Sequence, residues 1–411
     1  MNSVIFLTTT YPYGSGEEFI ESEIGVLARK FDRVIVIATE VKPEVQTKRD
    51  LPENAISLRF NTENSKISKL KSALRMMQLF ICRNEVCKVE ISRNKRLSDV
   101  KFILRTEEQC MRIWRAIRTS GTLKILEKDN VTIYSYWLYK TARIGTLIMK
   151  HSNLQVNHMI SRAHRYDLYE DMSPVGFLPY RSLFLSEYDL IAPCSKDGAE
   201  HLIKRGNGKA KIEVSYLGTR DYGIGNVDMS PVLHIVSCSN LVPVKRVNRI
   251  ASALNLLDTS CQVRWTHIGS GSLLTSLKSM IDTLPSNINV ILLGALSNEE
   301  VMKFYQREAV DAFVNVSSSE GLPVSIMEAS SFGIPSIATN VGGTSEIIQE
   351  GINGYLLKDD FTDEELACAI GKIAKLKRAD KIYEFRKLAR EIWQENFVAE
   401  DNYERFWKRQ I

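Results

Sequence analysis

The sequence contains few of the residues that interrupt or crosslink a chain: 411 residues include 11 prolines, 22 glycines and 7 cysteines. With 44% hydrophobic and 25% charged residues, the composition is that of a globular protein, which excludes collagen-like, disordered and low-complexity classes. The cysteines are odd in number and form no C-x-x-C pair, which excludes a disulfide framework or a zinc site and fits a reducing cytoplasm. At this length the chain can form two domains with large cores.

Long hydrophobic runs are also lacking. No stretch approaches the ~20 apolar residues that span a bilayer. The first residues, Met1 to Leu7, have no basic region and too short an apolar run for a signal peptide. The sequence therefore predicts a soluble cytoplasmic protein, or one attached to the inner face of the cell membrane.

Positive charge is concentrated in one segment, although the net charge is only +5. Residues 66–118 contain 14 basic and 5 acidic residues in a largely helical pattern. Their first part is amphipathic, which is typical of a helix on an anionic bilayer; the residues concerned are Lys66, Lys69 and Lys71 beside Leu70, Leu74, Met77 and Phe80. A solvated helical face is the alternative, and nucleic acid is disfavoured because no recognised fold or aromatic motif accompanies the charge.

The apolar pattern predicts two α/β domains. Val4 to Leu7 and Val34 to Ala38 indicate buried parallel strands around a helix from Glu17 to Arg29. A second series of strands begins at Leu233 to Cys238, after a polar linker candidate at 219–230. Further strands fit 131–134, 158–161, 190–193, 211–214, 263–268, 290–293, 312–316 and 336–339. The charged, helical segment 375–411 has five aromatic anchors: Trp393, Phe397, Tyr403, Phe406 and Trp407.

The most informative stretch runs from Ser317 to Glu350. A strand ends near Ser317, and Gly321 and Pro323 precede a helical pattern. The N-terminus of that helix would provide an anion-binding site at the end of the sheet. Glu320 and Glu328 could be a glycosidase pair. Eight residues along a helix would separate them by about 12 Å, whereas a retaining glycosidase needs about 5 Å. The spacing therefore favours two carboxylates that bind separate parts of one ligand.

Glu320 to Glu328 resembles the E-x7-E motif of retaining glycosyltransferases of family 4, which have the GT-B architecture. Four further segments resemble that family in the same order, and the resemblance extends from about Val4 to Trp393. They are Tyr11 to Gly16, Ser161 to Asp167, Asn240 to Arg246, and Asn340 to Glu346 with Asn353 and Gly354. Within the family, the sequence resembles the bacterial enzymes that make capsule, exopolysaccharide or O-antigen.

The resemblance implies a fold with two Rossmann-like domains, a central cleft and a C-terminal helix that packs back. Residues 1–217 would bind the acceptor, 218–390 the nucleotide sugar, and 391–411 would cross back to the first domain. It implies catalytic roles for His164, at the transferred sugar, for Glu320, at a donor-sugar hydroxyl, and for Lys245, at the diphosphate. Donor contacts are implied for Glu328, at the ribose, and for Gly14, Gly16, Arg246, Gly321, Leu322 and Pro323.

The implied reaction is metal-independent transfer of a hexose or hexosamine from a nucleoside diphosphate donor to a lipid-linked surface glycan, with retention and without a cofactor. The family usually has an arginine where this chain has Asn240. A GT-B sugar-nucleotide epimerase and a non-catalytic partner of another transferase are the alternatives. Gly14 to Gly16 has no third glycine for a dinucleotide fingerprint. His164 could be a structural histidine, and Trp137 fits a core position better than an acceptor platform.

Overall fold

The computed structural model describes residues 1–14, 16–17, 19–61, 66–81, 84–93, 96–206 and 208–410, without the side chains of 66–69. It divides into two compact units. The first unit comprises Met1–Ser215 with Tyr403–Ile411, and the second comprises Tyr216–Asn402.

The first unit is a parallel sheet with helices on its faces. Its strands are β1 (Asn2–Thr8), β2 (Arg33–Val41), β3 (Ala55–Asn61), β4 (Asn130–Ser135), β5 (Gln155–Ala163), β6 (Leu190–Pro193) and β7 (Lys211–Ile212), in the order β3-β2-β1-β4-β5-β6-β7. Its helices are α1 (Ile20–Lys30), α2 (Lys66–Ile81), α3 (Glu85–Arg93), α4 (Leu97–Ser120), α5 (Lys140–His151), α6 (Arg165–Leu168), α7 (Arg181–Glu187) and α8 (Lys196–Lys204). Apolar side chains of β1, β2 and β4 pack against α4 and α5.

The second unit repeats this plan. Its strands are β8 (Leu233–Cys238), β9 (Val263–Ile268), β10 (Ile288–Gly294), β11 (Ala312–Asn315), β12 (Ser336–Thr339) and β13 (Gly354–Leu357), in the order β10-β9-β8-β11-β12-β13. Its helices are α9 (Asn248–Leu254), α10 (Leu274–Ile281), α11 (Asn298–Arg307), α12 (Val324–Ser331), α13 (Asp363–Arg378) and α14 (Ile382–Asn396). The last helix, α15 (Ala399–Gln410), begins in the second unit and ends in the first. Both sheets have the strand order of doubly wound nucleotide-binding folds.

The predicted α/β class with two Rossmann-like domains is confirmed. Continuous apolar runs give the parallel strands because both faces of such a sheet are covered. The runs at 190–193, 233–238, 263–268 and 336–339 have the bounds observed for β6, β8, β9 and β12. In the described part of the chain, no helix has the length and apolarity to cross a membrane.

The predicted third segment, 391–411, is divided between the two units at residues 402 and 403. Its first part stays with the second unit because Thr219 holds it there. Trp393 Nε1 donates to Thr219 Oγ1 at 2.8 Å, the Thr219 N–H donates to Phe397 O at 2.9 Å, and the Ala399 N–H donates to Thr219 O at 3.1 Å. The predicted boundary at 217/218 lies two residues from the observed one at 215/216.

A buried ion pair anchors the end of α15 in the first unit. Arg162 Nε lies 3.2 Å from Glu23 Oε2, and both side chains are fully buried. The Arg162 guanidinium faces the rings of Tyr403 and Phe406, and Trp407 Nε1 donates to Glu23 Oε1 at 3.2 Å. The predicted aromatic anchors of the last segment are therefore buried, and Arg162 has a structural role within the segment resembling family 4.

Candidate functional site

Three loops meet at the carboxyl edge of the second sheet, where ligands of doubly wound sheets bind. They follow β8, β11 and β12. The N–H of Ser318 donates to Val244 O at 2.8 Å, and the N–H of Gly343 donates to Gly321 O at 2.6 Å. The loop after β11 is thus held by backbone bonds to the other two.

A glycine in the third loop makes this arrangement sterically feasible. Gly342 has φ +54°, and a Cβ on it would lie 2.0 Å from the carbonyl oxygen of Glu320. A side chain at 342 would therefore push the Glu320 loop away, besides adopting the left-handed conformation that disfavours non-glycine residues.

Lys245 and Glu320 are brought together as an ion pair. Lys245 Nζ lies 2.6 Å from Glu320 Oε1, and Asn315 Nδ2 donates to the same oxygen at 3.3 Å. The side chains are 26% and 12% exposed, respectively. An ammonium has three N–H donors, so Lys245 can bind an anionic oxygen while it contacts Glu320.

Glu320 lies in the loop before α12, which begins at Val324. The premise of a helix from 320 to 328 is therefore wrong. Pro323 is the physical reason, because a proline disfavours helical backbone at the preceding residue, here Leu322. The separation of the two carboxyl groups cannot be taken from helical rise. Each carboxyl group is instead bound by its own polar partners.

The predicted residues Gly321, Leu322 and Pro323 form the approach to α12. Gly321 accepts the bond from Gly343, Leu322 is buried, and Pro323 is the N-cap residue of the helix. The first turn of an α-helix leaves N–H groups without helical partners and is the positive end of its dipole. This edge of the sheet therefore combines an ammonium group with a helix N-terminus.

Glu328 projects from α12 toward the start of α11. Asn298 Nδ2 donates to Glu328 Oε1 at 2.6 Å. Burial raises the pKa of Glu328 to about 7, and the Asn298 bond acts in the opposite direction. Burial likewise raises the pKa of Cys238, at the end of β8, to about 12; the charge of Glu328 adds to this rise and that of Lys245 opposes it. Glu328 and Lys245 thus both act electrostatically at the end of β8.

Arg246 has a different environment from the one predicted. Its Nε donates to Val316 O at 2.8 Å, its Nη1 to Asp359 O at 2.8 Å, and its Nη2 to Ser317 O at 3.2 Å. Nη2 also pairs with the Asp359 carboxylate, and the guanidinium faces the ring of Phe361. The group stabilises the loops after β8 and β11, and its predicted contact with the donor stays a prediction.

A buried carboxylate, that of Glu17, follows Gly14 and Gly16 in the first unit; the predicted donor contacts of these glycines stay predictions, and Ser15 lies outside the described residues. Glu17 is buried and accepts three consecutive backbone N–H groups, those of Thr9 (3.1 Å), Thr10 (2.7 Å) and Tyr11 (2.6 Å). Such a run of amides is a natural anion site. Because Glu17 fills it, these amides are not available to a donor phosphate.

His164 stands at the end of β5 and is 8% exposed. Its ring lies 4.9 Å from the ring of Tyr136 and 4.6 Å from that of Trp137. Neither ring nitrogen has a hydrogen-bond partner among the described residues. Burial, followed by the charge of Arg162, lowers the pKa of His164 to about 3, so the imidazole is neutral at physiological pH. A buried neutral imidazole without partners is suited to a hydrogen bond with an uncharged ligand.

A cavity of about 330 Å³ in the first unit is lined by Trp137, one of the two aromatic neighbours of His164. Trp137 is partly exposed and lines it together with Tyr139, Tyr166, Glu40 and Lys140. The prediction that Trp137 is a core residue is therefore wrong. Its indole N–H donates to Glu17 Oε1 at 2.5 Å, which fixes the ring as a wall of the cavity.

A second cavity of about 260 Å³ shares Tyr139, Lys140 and Tyr166 with the first, and it extends to Phe102 and Arg105 of α4. Aromatic faces bordered by polar groups suit a sugar, which has apolar C–H faces and hydroxyl edges. A larger cavity of about 550 Å³ in the second unit, beside α14, is lined by none of the predicted site residues.

Sequence reasoning missed two polar partners, Glu17 and Asn298. For Asn298 the sequence indicated only a position at the start of a helix, because Ser297 and Glu300 fit the pattern of a capping box. The signal for Glu17 was an acidic residue directly after a Gly-rich turn. Nothing in the sequence pairs Asn298 with Glu328 or Glu17 with Trp137, because these contacts arise only in the fold.

Comparison with known proteins extends this description. Residues 231–391 match the family model "Glycosyl transferases group 1". This part of the chain is thus similar to the domain that group 1 glycosyltransferases share. It contains the predicted residues of the second sheet's carboxyl edge, Lys245, Glu320 and Glu328 among them.

Bacterial polysaccharide enzymes are among the similar proteins. The amylovoran biosynthesis glycosyltransferase AmsK of Erwinia amylovora is 27% identical over 187 residues, which cover 43% of this chain and 45% of that protein. The O-antigen biosynthesis glycosyltransferase WbnH of Escherichia coli is 34% identical over 119 residues, 29% of this chain and 32% of that protein. The chain thus matches less than half the length of these relatives.

The fold likeness extends over the whole chain. The HepE protein of Anabaena, solved in complex with UDP, superposes with a TM-score of 0.66 at 16% identity and covers 100% of this chain and 99% of its own. At that identity the likeness concerns the fold alone, and it agrees with the predicted GT-B class. Assignment to family 4 in particular remains an interpretation of the motifs.

Proposed function

We propose that the chain is a retaining, metal-independent glycosyltransferase of family 4 that uses no cofactor. It would transfer a hexose or hexosamine from a nucleoside diphosphate to a lipid-linked bacterial surface glycan. The observation that carries this proposal is the Lys245–Glu320 ion pair beside the N-terminus of α12, with Glu328 on the same helix. The matched group 1 domain and the relatives in polysaccharide biosynthesis support it.

In this proposal the second unit binds the donor. Glu328 accepts hydrogen bonds from the ribose hydroxyls, and Glu320 orients a hydroxyl of the donor sugar. Lys245, with the N–H groups of Gly321 and Leu322 and the first turn of α12, offsets the charge that develops on the leaving diphosphate. Stabilisation of such developing charge by fixed donors is usually the largest catalytic contribution.

The chemical step would then be front-face substitution. The bond from the sugar C1 to the diphosphate oxygen breaks, and the acceptor oxygen bonds to C1 from the same side. The acceptor proton moves to the departing phosphate oxygen, so no protein base is required. This course would retain the configuration at C1.

The first unit would bind the acceptor. Its aromatic cavity between Trp137 and Tyr166 would take a sugar ring of the acceptor, and a ring nitrogen of His164 would bind a hydroxyl of the transferred sugar. Peripheral contact with an anionic membrane through residues 66–118, on the inner face of the cell membrane, belongs to the same proposal. A lipid-linked acceptor is presented at that surface.

A thermal-shift titration tests the donor site. We expect UDP or GDP to raise the melting temperature of the wild-type chain, since a ligand that binds only the folded state stabilises it by mass action. Lys245→Met should weaken the nucleotide affinity about 10- to 100-fold, because a hydrogen bond to a charged group contributes about 1.5–3 kcal/mol. Lys303→Met is the matched control, since Lys303 is exposed on α11 and pairs with Glu299 of the same helix.

Two results would contradict the proposed function. Nucleoside diphosphates that leave the melting temperature unchanged would argue against a donor site. An equal effect of Lys245→Met and Lys303→Met on affinity would argue against Lys245 as the diphosphate ligand.

A further inference from the structure

Helix α2 has two apolar or partly apolar faces, and only one of them packs against the protein. Its inner face contacts α4, where Ser72 Oγ donates to Glu108 Oε2 at 2.9 Å and Arg75 Nη1 donates to Glu108 Oε1 at 3.2 Å. Met76 and Leu79 are half-buried on the same side. At 100° per residue these four positions fall within one sector of the helix.

The opposite sector of α2 carries large apolar side chains that are exposed. Leu70, Leu74, Met77 and Ile81 follow the four-three-four spacing of one helical face, and each is more than half exposed. We call these four residues the α2 stripe. Single exposed apolar residues are ordinary on protein surfaces, whereas an aligned set on one helix indicates an interaction site.

The basic segment 66–118, which includes α2, exposes almost no negative charge in the part of it that the structure describes. Of the five acidic residues in 66–118, four are buried, namely Glu90, Asp99, Glu107 and Glu108. Glu85 is the one exposed acid of this segment in the described part of the chain. The exposed basic residues there are Lys71, Lys88, Arg93, Arg96, Lys101, Arg105, Arg115 and Arg118.

We propose that the α2 stripe inserts into the interface of an anionic phospholipid membrane, with the exposed basic residues of α2, α3 and α4 bound to its headgroups. An apolar helical face combined with positive charge is the chemistry of an interfacial membrane helix. Each Lys or Arg near such a surface contributes an attraction that decays within a Debye length. The side chains of Lys66 and Lys69 lie outside the described residues and are not needed for this inference.

A second copy of the chain fits the stripe less well. Four side chains on one helix cover a few hundred Å², whereas a stable interface buries about 800 Å² on each partner. Interface cores are also depleted of charge, whereas this stripe lies in a strongly basic segment. Insertion into a membrane interface requires neither a buried area of that size nor an absence of charge.

The inference deepens the proposed function, since a lipid-linked acceptor gives the contact its purpose, but its test does not depend on catalysis. The full chain is sedimented with phosphatidylglycerol–phosphatidylcholine vesicles and with pure phosphatidylcholine vesicles. We expect binding to the anionic vesicles alone, and release at high salt. Leu74→Ser combined with Met77→Ser should lower the partition coefficient about 100-fold, about tenfold for each side chain withdrawn from the apolar interface.

A matched control separates the stripe from general surface hydrophobicity. Ile203→Ser combined with Leu256→Ser removes two exposed apolar side chains elsewhere, and we expect vesicle binding within twofold of wild type. Equal binding by wild type and the Leu74/Met77 variant would overturn the proposal in favour of a solvated basic face. Absence of vesicle binding together with a dimer that this variant dissociates would identify a second copy as the occupant.

Failure of this inference and failure of the proposed function are distinguishable. Nucleotide stabilisation with no vesicle binding would leave the donor site intact and refute the membrane contact. Vesicle binding with no nucleotide stabilisation would support the membrane contact and refute the donor site.

Discussion

The two glutamates of the candidate donor site have different surroundings, and these surroundings suit different tasks. Glu320 pairs with the ammonium group of Lys245 and accepts a hydrogen bond from Asn315. Glu328 is bound by the neutral amide of Asn298, and burial raises its pKa to about 7. Near neutral pH, part of the Glu328 population is therefore protonated in the free chain.

This difference predicts a pH-dependent nucleotide affinity. Ribose hydroxyls donate most strongly to an ionised carboxylate, and the ionised fraction of Glu328 falls about tenfold for each pH unit below its pKa. We expect UDP affinity to weaken by up to about tenfold from pH 8 to pH 6, measured by titration calorimetry. The phosphate also titrates in this range, with a pKa of about 6.

Glu328→Gln provides the control, because it keeps the phosphate titration and removes the carboxyl group. Its affinity should be lower at pH 8 and should change less between pH 8 and pH 6. If the variant and the wild type had parallel pH profiles, Glu328 would not be the group that titrates.

At the scale of elements, the donor site depends on how closely the loops after β11 and β12 approach. Gly342→Ala would place a Cβ 2.0 Å from Glu320 O, so the Glu320 loop has to move. We expect nucleotide affinity to fall at least tenfold and the free energy of unfolding to fall by about 1–3 kcal/mol. Thermal shift with UDP and urea unfolding measure the two effects.

Gly351→Ala separates backbone strain from steric displacement. Gly351 also has a left-handed φ, +73°, but a Cβ there would have no atom within 4 Å. This variant should lose about 1–2 kcal/mol of stability from the backbone alone and retain wild-type nucleotide affinity. Equal losses of affinity in both variants would mean that the close approach at Gly342 does not position Glu320.

The sequence predicts the central elements better than the peripheral ones. Central strands such as β8 and β9 are continuous apolar runs, because both faces are covered. Strands β3 and β13, which were not predicted, lie at sheet edges where many side chains are only half-buried. These two strands lack a continuous apolar run because many of their side chains are partly exposed, whereas the edge strand β10 has such a run and was predicted.

The sequence also predicts some features of the candidate site and not others. Lys245, Glu320 and Glu328 could be proposed from local spacing and the family resemblance, since loops at strand ends and helix N-termini have sequence signals. The carbonyl contacts of Arg246 and the Asn298–Glu328 bond join residues far apart in the chain. Tertiary contacts of this kind have no local signal, so the sequence did not predict them.

At the scale of the whole molecule, each unit contains buried histidines that are neutral when folded. His164 lies in the first unit, with its pKa lowered to about 3. His234 and His267 lie in the second unit, and burial lowers the pKa of each to about 4. In the unfolded chain a histidine titrates near pH 6.5. Acidification therefore protonates the unfolded state first.

The sign of the resulting pH dependence follows from proton binding. Between about pH 6.5 and pH 4 the unfolded chain binds more protons than the folded chain, so stability falls as the pH falls. The stability is complete above the unfolded pKa and is lost progressively down to the folded pKa. We expect each of His234 and His267 to contribute a loss of about 2 kcal/mol between pH 7 and pH 5.

Urea unfolding at pH 7 and pH 5 measures this loss in the second unit. His267 Nδ1 forms a hydrogen bond with Ser237 Oγ at 2.8 Å. His267→Gln removes the titrating ring and retains a polar group that can bond with that hydroxyl. The variant should be less stable than wild type at pH 7, but its further loss of stability at pH 5 should be smaller by about 2 kcal/mol.

His158→Gln, at an exposed position on β5, is the control. An unchanged loss in His267→Gln would show that other groups drive acid unfolding, because a substitution at His267 cannot alter proton uptake at sites that it does not contact.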